Sequence, residues 1–600
     1  MNQKRKQRVS NKLVLLTILS LELKRLLQKR NFLLENFEFI ECIKSLFQLK
    51  NYKNLYILNS TSWREIMSNT NEIKEFDAVI IGAGFAGIYQ LLKLRRLGLN
   101  AVILEKADQV GGTWHWNRYP GARCDIPSLE YSYQFDESLQ QEWNWTEKYS
   151  AQPEILEYLN HVTDRFELRD GIKFEEEVQT AKFNEDNSKW TVTTSKAKYQ
   201  TKFCIFATGC LSVPNKPNFK GIESFDGELL QTSNWPHEEQ DFSGKKVAII
   251  GTGSSAIQSI PIIADQAEEL YVFQRTPNYS IPSNNGPMDK DIEKEIKSRY
   301  SEFRKENYSN GFGIAGISDE SLISETALEE VHQQLEENWQ SAGLGFFGGY
   351  ADIPVDKDAN KVAADFVRNK IKQIVKDPGT ASLLCPDYHI GGKRLCVDTG
   401  YFETFNRENV HLIDLNANPI EKISSNSIEA DKKYEIDTLI LATGFDAMTG
   451  ALTNIDISGR GNIKLKALWE QGAKSYLGIG ISNFPNLFTV TGPGSPSVLS
   501  NMMPSIEQHV NWITDCIDWM IQNDKAVIES SETAEEEWMA LVNEIADMTV
   551  FTDTKSWYNG SNIEKKAKAF LPFIGVPVYT EMIEEVVNED YKGFIFDRMN

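Results

Sequence analysis

Two glycine-rich turns, each at the end of an apolar run, constrain this chain more than any other feature of it. The first reads FDAVIIGAGFAG, an apolar stretch from Ala78 to Ile81 that ends in Gly82, Gly84 and Gly87. That order fits strand, tight turn and helix start. Gly82 makes the turn, Gly84 lets backbone amides approach a pyrophosphate, and Gly87 lets the helix pack close to the strand. The phosphate then sits on the helix dipole. LNAVILEKA follows, and its strand ends in Glu105, placed to accept hydrogen bonds from an adenosine ribose.

The second turn reads KKVAIIGTGSSAIQ, with Gly251 and Gly253 in register and Ala256 in the third glycine's place, a substitution the motif tolerates. LYVFQRTP follows. Where the first unit has an acid, this one has Arg275 and Thr276. An arginine there suits a 2′-phosphate, so the two turns are expected to hold different dinucleotides, FAD at the first and NADPH at the second. Between them a phenylalanine–glycine–tryptophan–proline signature runs from Phe225 to Pro236. Two nucleotide cofactors held against each other imply redox chemistry.

At 600 residues the chain is too long for one core, so two or three domains are expected. A net charge of -22 disfavours partners such as nucleic acid or an anionic membrane surface. Residues 1–66 run against that balance, with 13 basic and 5 acidic side chains and neither glycine nor proline. They read as an extension outside the folded enzyme. The rival reading is a targeting peptide, since basic residues precede an apolar stretch from Leu13 to Leu21, but Glu22 interrupts it and no A-x-A site follows. The stretch also falls short of the ~20 residues that span a bilayer. Seven dispersed cysteines without a CxxC pair argue for a reducing compartment, the cytoplasm. The seven histidines show no metal-ligand spacing, so no metal is expected.

FCIFATG, finishing at Gly209, and LILATG, finishing at Gly444, read as buried strands that stop at matching tripeptides. SVPNKPNF follows the first as a linker. The expected fold class is therefore α/β: two Rossmann-like dinucleotide-binding domains, the NADP domain inserted in the FAD domain, with a helical subdomain. The boundaries read 67–210 for the first part of the FAD domain, 211–276 for the first part of the NADP domain, 277–391 for the helical subdomain, 392–445 for the rest of the NADP domain and 446–600 for the rest of the FAD domain. In the helical region Val362, Phe366, Lys370 and Ile374 form a stripe widened by Ala363 and Val367. Thr326 and Glu329 suit a capping box. Pro261 should kink or shorten the helix after the second turn.

With these motifs in order, and with GGTWHWNRYPGARCD (Gly111 to Asp125), FDGELLQTSNWP, FQRTP, GGKRL, ATGFDA and GPGSPSVLSNM, the chain resembles the type I Baeyer–Villiger monooxygenases over roughly residues 71 to 595. The resemblance implies that NADPH delivers hydride to FAD, that reduced flavin adds dioxygen at C4a, and that the peroxide attacks a ketone carbonyl to give an ester or lactone. It implies Arg394 as the positive group beside the flavin, with Asp125 as its carboxylate partner. It also implies that Lys393 joins Arg275 and Thr276 on the 2′-phosphate. Cofactor contacts would come from Gly112, Thr113 and Trp114 near the first turn, from Ser254 and Ser255 at the second, and from Trp557. Leu211, Leu499, Met502 and Met503 resemble positions around a ketone pocket, and ordinary core packing fits them as well. The implied partners are a small ketone and O2, with no nucleic acid and no membrane, in an enzyme expected to be monomeric.

Two departures stand out. Gln231 occupies a position where the family has histidine, and glutamine keeps a donor and an acceptor but carries no proton near neutral pH. Glu564 and Lys565, in SNIEKKAKAF, replace a proline–glycine pair. Three alternatives remain at this point: a flavin monooxygenase that oxidises nitrogen or sulfur, an NADPH oxidase that releases peroxide, and a flavoprotein used only for binding.

Overall fold

A computed structural model of the chain describes residues 73–317, 321–341, 343–561 and 574–598. The N-terminal extension expected at 1–66, and Glu564 and Lys565, lie outside the described residues.

Among the described residues the first elements include β1 (Ile73–Ile81), α1 (Phe85–Arg96), β2 (Ala101–Leu104) and a single turn, α2 (Thr113–Trp116). Then come β3 (Ile172–Lys173), β4 (Val178–Asn184), β5 (Lys189–Thr194) and β6 (Lys198–Phe206). A second series follows: β7 (Glu228–Gln231), β8 (Lys246–Ile250), α3 (Ser254–Gln266) and β9 (Glu269–Gln274). Next is a mainly helical stretch of β10 (Ser280–Pro282), α4 (Lys290–Ser298), α5 (Tyr300–Ser309), α6 (Leu328–Ser341), α7 (Lys357–Ile374) and α8 (Pro378–Leu384). The series resumes with β11 (Cys396–Asp398), β12 (Val410–Asp414), a small antiparallel sheet of β13 (Lys422–Ser424), β14 (Ser427–Glu429) and β15 (Lys433–Glu435), and β16 (Thr438–Leu441). Further on lie β17 (Asp456–Ser458), β18 (Leu487–Thr489), α9 (Met502–Gln522) and α10 (Gly575–Asn588).

Two sheets organise these elements. In the first, β6, β1, β2 and β3 run parallel, with Ala78 opposite Ala101 and Phe203. β5 and β18 share the far edge of β6, at Lys198–Thr201 and Cys204–Phe206. The second is a five-stranded parallel sheet in the order β12-β9-β8-β16-β7. Strands covered on both faces must be apolar throughout, which is why AVIL in β2 and TLIL in β16 are buried without alternation. Two antiparallel crossings join the sheets. Met448 N–H donates to Cys210 O (2.8 Å), Asp446 N–H to Val213 O (2.9 Å) and Asn215 N–H to Gly444 O (2.9 Å).

Three local expectations change. On α7 the buried stripe is Ala359, Asn360, Ala363, Ala364, Val367 and Ile371, while Val362, Phe366, Lys370 and Ile374 are half-buried. The stripe is turned by one residue because helix packing selects the small side chains for closest approach. Thr326 gives its hydroxyl to Leu322 O (2.7 Å), and α6 begins only at Leu328, so the capping box is not what starts that helix. α3 continues five residues beyond Pro261, so the proline does not shorten it. No helix among the described residues is long and apolar enough to cross a membrane.

Candidate active site

Both glycine turns are shaped to receive an anion. Gly82 (φ +104°) follows β1, and a Cβ there would come within 2.6 Å of Ala207 O; one on Gly87 would strike Gly82 O. Gly84 and Gly253 cap α1 and α3 with no side chain, and neither first turn contains an acid. Those orphan N–H groups and the positive dipole end therefore meet no counter-charge from the helices' own first turns. A Cβ on Gly253 would meet nothing within 4 Å, so open space lies before α3. Across the first turn Gly112 (φ +53°) faces Gly84, leaving Thr113 and Trp114 to open α2 beside it. Residues and space fit a dinucleotide at each turn.

Glu105 directly follows β2, and its oxygens accept N–H bonds from Ala83 (2.6 Å) and Ala107 (2.7 Å). Burial pushes its pKa up while those amides hold it down. The carboxylate thus braces the turn, and each oxygen keeps a further lone pair for a ribose hydroxyl.

Arg394 and Asp125 come together. Arg394 Nε donates to one Asp125 oxygen (2.7 Å), Nη2 to the other (3.0 Å), and Nη1 to Val498 O (2.7 Å). Burial alone would lower the arginine's pKa, but Asp125's charge and hydrogen bonds outweigh it and raise it. The guanidinium is a permanent, oriented cation. The glycines before it permit its approach. A Cβ on Gly391 (φ +89°) would meet Phe551 at 2.7 Å, and one on Gly392 would collide with Thr554.

At the second turn Arg275 follows β9 and is exposed, and Thr276 O accepts from Thr252 Oγ1 (2.8 Å). Lys393 lies over the Tyr388 ring (4.9 Å), its pKa lowered by burial and then by Arg275's charge. The Asp387 charge offsets part of that lowering. Ser254 Oγ lies 3.1 Å from Cys396 Sγ and Ser255 Oγ 3.2 Å from Thr232 Oγ1.

Leu211, Leu499, Met502 and Trp557 gather with Ala447, Met448, Val498 and Tyr558 in one apolar cluster, and Val498 is also the residue whose carbonyl holds Arg394. Met503 does not join them. At 1% exposure it packs into the core between the first sheet and α9, because the next residue on a helix points about 100° away. A wide groove of about 1360 Å³ between α5, α9 and α10 includes none of these residues.

Sequence reasoning missed the Val498 carbonyl, which a backbone group cannot advertise. It also missed Tyr558, whose ring stands edge-on to Trp557 (4.5 Å) and whose hydroxyl interacts with Arg394. The tryptophan–tyrosine pair was the available signal.

Fold and site together define an oxidoreductase built to hold two dinucleotides. A family model described as pyridine nucleotide-disulphide oxidoreductase matches residues 79–345. The chain is 40% identical over 530 residues to cyclohexanone 1,2-monooxygenase from Acinetobacter sp, covering 87% of this chain and 96% of that one. It is 41% identical over 533 residues to a Baeyer–Villiger monooxygenase from Pseudooceanicola batsensis, covering 87% and 97%. A crystal structure of OTEMO in complex with FAD and NADP superimposes with a TM-score of 0.84 at 37% identity, covering 87% and 99%. The chain belongs to the Baeyer–Villiger monooxygenases, with their two-dinucleotide fold.

Proposed function

We propose that this chain, as an NADPH- and FAD-dependent Baeyer–Villiger monooxygenase, converts a small ketone to an ester or lactone with Arg394 as its charge-stabilising residue. The balance is ketone, O2, NADPH and a proton in, and ester, water and NADP+ out. When bound, FAD supplies the two-electron activation of dioxygen, and NADPH supplies the hydride.

The chain's own residues bind, orient and neutralise. The first sheet and its turn, with Glu105 and Gly112–Trp114, hold FAD. The second, with Ser254, Ser255, Arg275, Thr276 and Lys393, would hold NADPH. Arg394 offers a fixed positive charge to oxygen that becomes negative during the reaction, and it needs no rearrangement because Asp125 and Val498 O already hold it. Leu211, Leu499, Met502 and Trp557 supply an apolar wall for the ketone and exclude water.

The observation that carries this reading is the two-pronged Arg394–Asp125 pair beside that cluster. The six cysteines among the described residues are unpaired, which supports work in the cytoplasm. Cyclohexanone, the ketone in the Acinetobacter relative's name, is the first substrate to try, within a ketone panel read by mass spectrometry under labelled O2. One labelled oxygen in an ester product supports the proposal; NADPH consumption with no ester from any ketone overturns it.

A further inference from the structure

The loop that delivers Asp125 follows the first glycine turn in sequence, yet it lies on the second unit. Trp235 N–H donates to Trp116 O (3.4 Å), and Arg118 Nη1 is 2.7 Å from His237 Nδ1. Tyr119 gives its hydroxyl proton to Gln258 Oε1 (2.9 Å), while Gln258 Nε2 donates to Arg123 O (3.2 Å). One side-chain amide therefore grips the loop on both sides of its Pro120–Gly121 turn. The backbone is pressed equally close, since a Cβ on Gly121 (φ +80°) would collide with Gln258 O. Gln258 lies one turn into α3, the helix that opens the second dinucleotide turn, and Arg123 is two residues before Asp125.

We infer that Gln258 is a positioning residue for the reaction: its amide ties the Asp125 loop to α3, so that the Arg394–Asp125 pair is set by the placement of the second unit. The inference rests on the roles proposed above for Arg394 and Asp125. Both ends of the amide are required, because Oε1 must accept and Nε2 must donate. Glutamate would turn an oxygen toward the Arg123 carbonyl, and leucine would leave both partners unpaired.

The test uses FAD-loaded Gln258→Leu, Gln258→Glu and Tyr119→Phe proteins, with hydrogen exchange of the 117–125 amides, NADP+ affinity and ester formed per NADPH as readouts. Each lost bond should speed exchange in 117–125 by about threefold to tenfold, with β8 amides unchanged. Ester per NADPH should fall with peroxide making up the difference, while NADP+ affinity moves less than about threefold, the smallest effect expected of one lost bond. If Gln258→Leu fails to fold, Gln258→Glu and Tyr119→Phe decide the matter. Unchanged exchange in 117–125, exchange raised everywhere alike, or faster loop exchange with undiminished ester yield would each overturn the inference. Should the parent enzyme make no ester from any ketone, the functional proposal fails separately, and the exchange measurement still decides whether Gln258 holds the loop.

Discussion

Arg394, in a loop beside β11, and Asp125, in the loop after α2, stand 269 positions apart in the chain and meet through two parallel hydrogen bonds, both donated by the guanidinium. A fork of this kind fixes the guanidinium plane as well as its position. Asp125→Asn keeps the shape but offers one acceptor, so ester formation should drop by about tenfold to a hundredfold, the loss that a displacement near 1 Å produces. Product yield per NADPH checks it, and an unchanged yield would show that the fork is not what places Arg394.

Arg275, directly after β9, acts electrostatically on Lys393, whose charge Asp387 offsets only in part. Arg275→Ala should raise the NADPH Michaelis constant by about tenfold or more while barely changing that for NADH, since the 2′-phosphate distinguishes the two ligands and a charge-assisted bond is worth about 1.5–3 kcal/mol. Steady-state kinetics with both nucleotides decide the matter, and equal losses would move the 2′-phosphate site elsewhere.

Gln231, at the end of β7, donates to Asn215 O (3.2 Å), which also accepts from Thr443 Oγ1 (2.9 Å) at the crossing between the sheets. The side chain acts there as a hydrogen-bond donor to the crossing. A neutral imidazole can do the same, so Gln231→His should leave peroxide leakage within about twofold of the parent, less than one neutral hydrogen bond is worth. Gln231→Leu, which removes the donor, should increase the leakage. A large gain in coupling from histidine would mean that the position needs a proton or a charge.

Glu130 and Glu507 are buried carboxyls whose pKa values burial pushes up to about 7, opposed for Glu130 by bonds from Ala315 N–H (2.8 Å) and Asn307, for Glu507 by Gln134 N–H (2.8 Å), and for both by Arg304. A folded pKa above the unfolded value gives stability that is full below about pH 4.5 and is lost as the pH rises through about 7. The parent should therefore lose more unfolding free energy between pH 5 and 7.5 than Glu130→Gln/Glu507→Gln, by up to about 1.4 kcal/mol per pH unit for each carboxyl. Parallel denaturation curves for the two proteins would contradict this.

Much of the fold was legible in the sequence because its strongest signals are local. Gly82, Gly87 and Gly251 report backbone positions where a Cβ cannot fit, and AVIL and VAII report strands covered on both faces. The motifs also pointed to Arg394, Asp125 and Lys393, although their meeting depends on chain crossings that no local pattern contains. Other features were beyond local reading. Periodicity placed an apolar stripe on α7 whose widening residues Ala363 and Val367 are buried, but its centre lies one residue on, along Ala359, Ala363, Val367 and Ile371. Met502 and Met503 are adjacent and chemically identical, and only the direction of α9 leaves Met502 touching both the apolar cluster and the core while Met503 is buried in the core alone. Gln258 looked like an ordinary helix residue until Tyr119 and Arg123 were seen beside it.

The most direct test is to follow NADPH, O2, peroxide and ester together, for the parent and for Arg394→Ala, with a ketone the parent accepts. The account predicts equal consumption of NADPH and O2 with matching ester in the parent. In Arg394→Ala it predicts continued NADPH oxidation with peroxide in place of ester. Ester formation by Arg394→Ala at the parent's rate would contradict it.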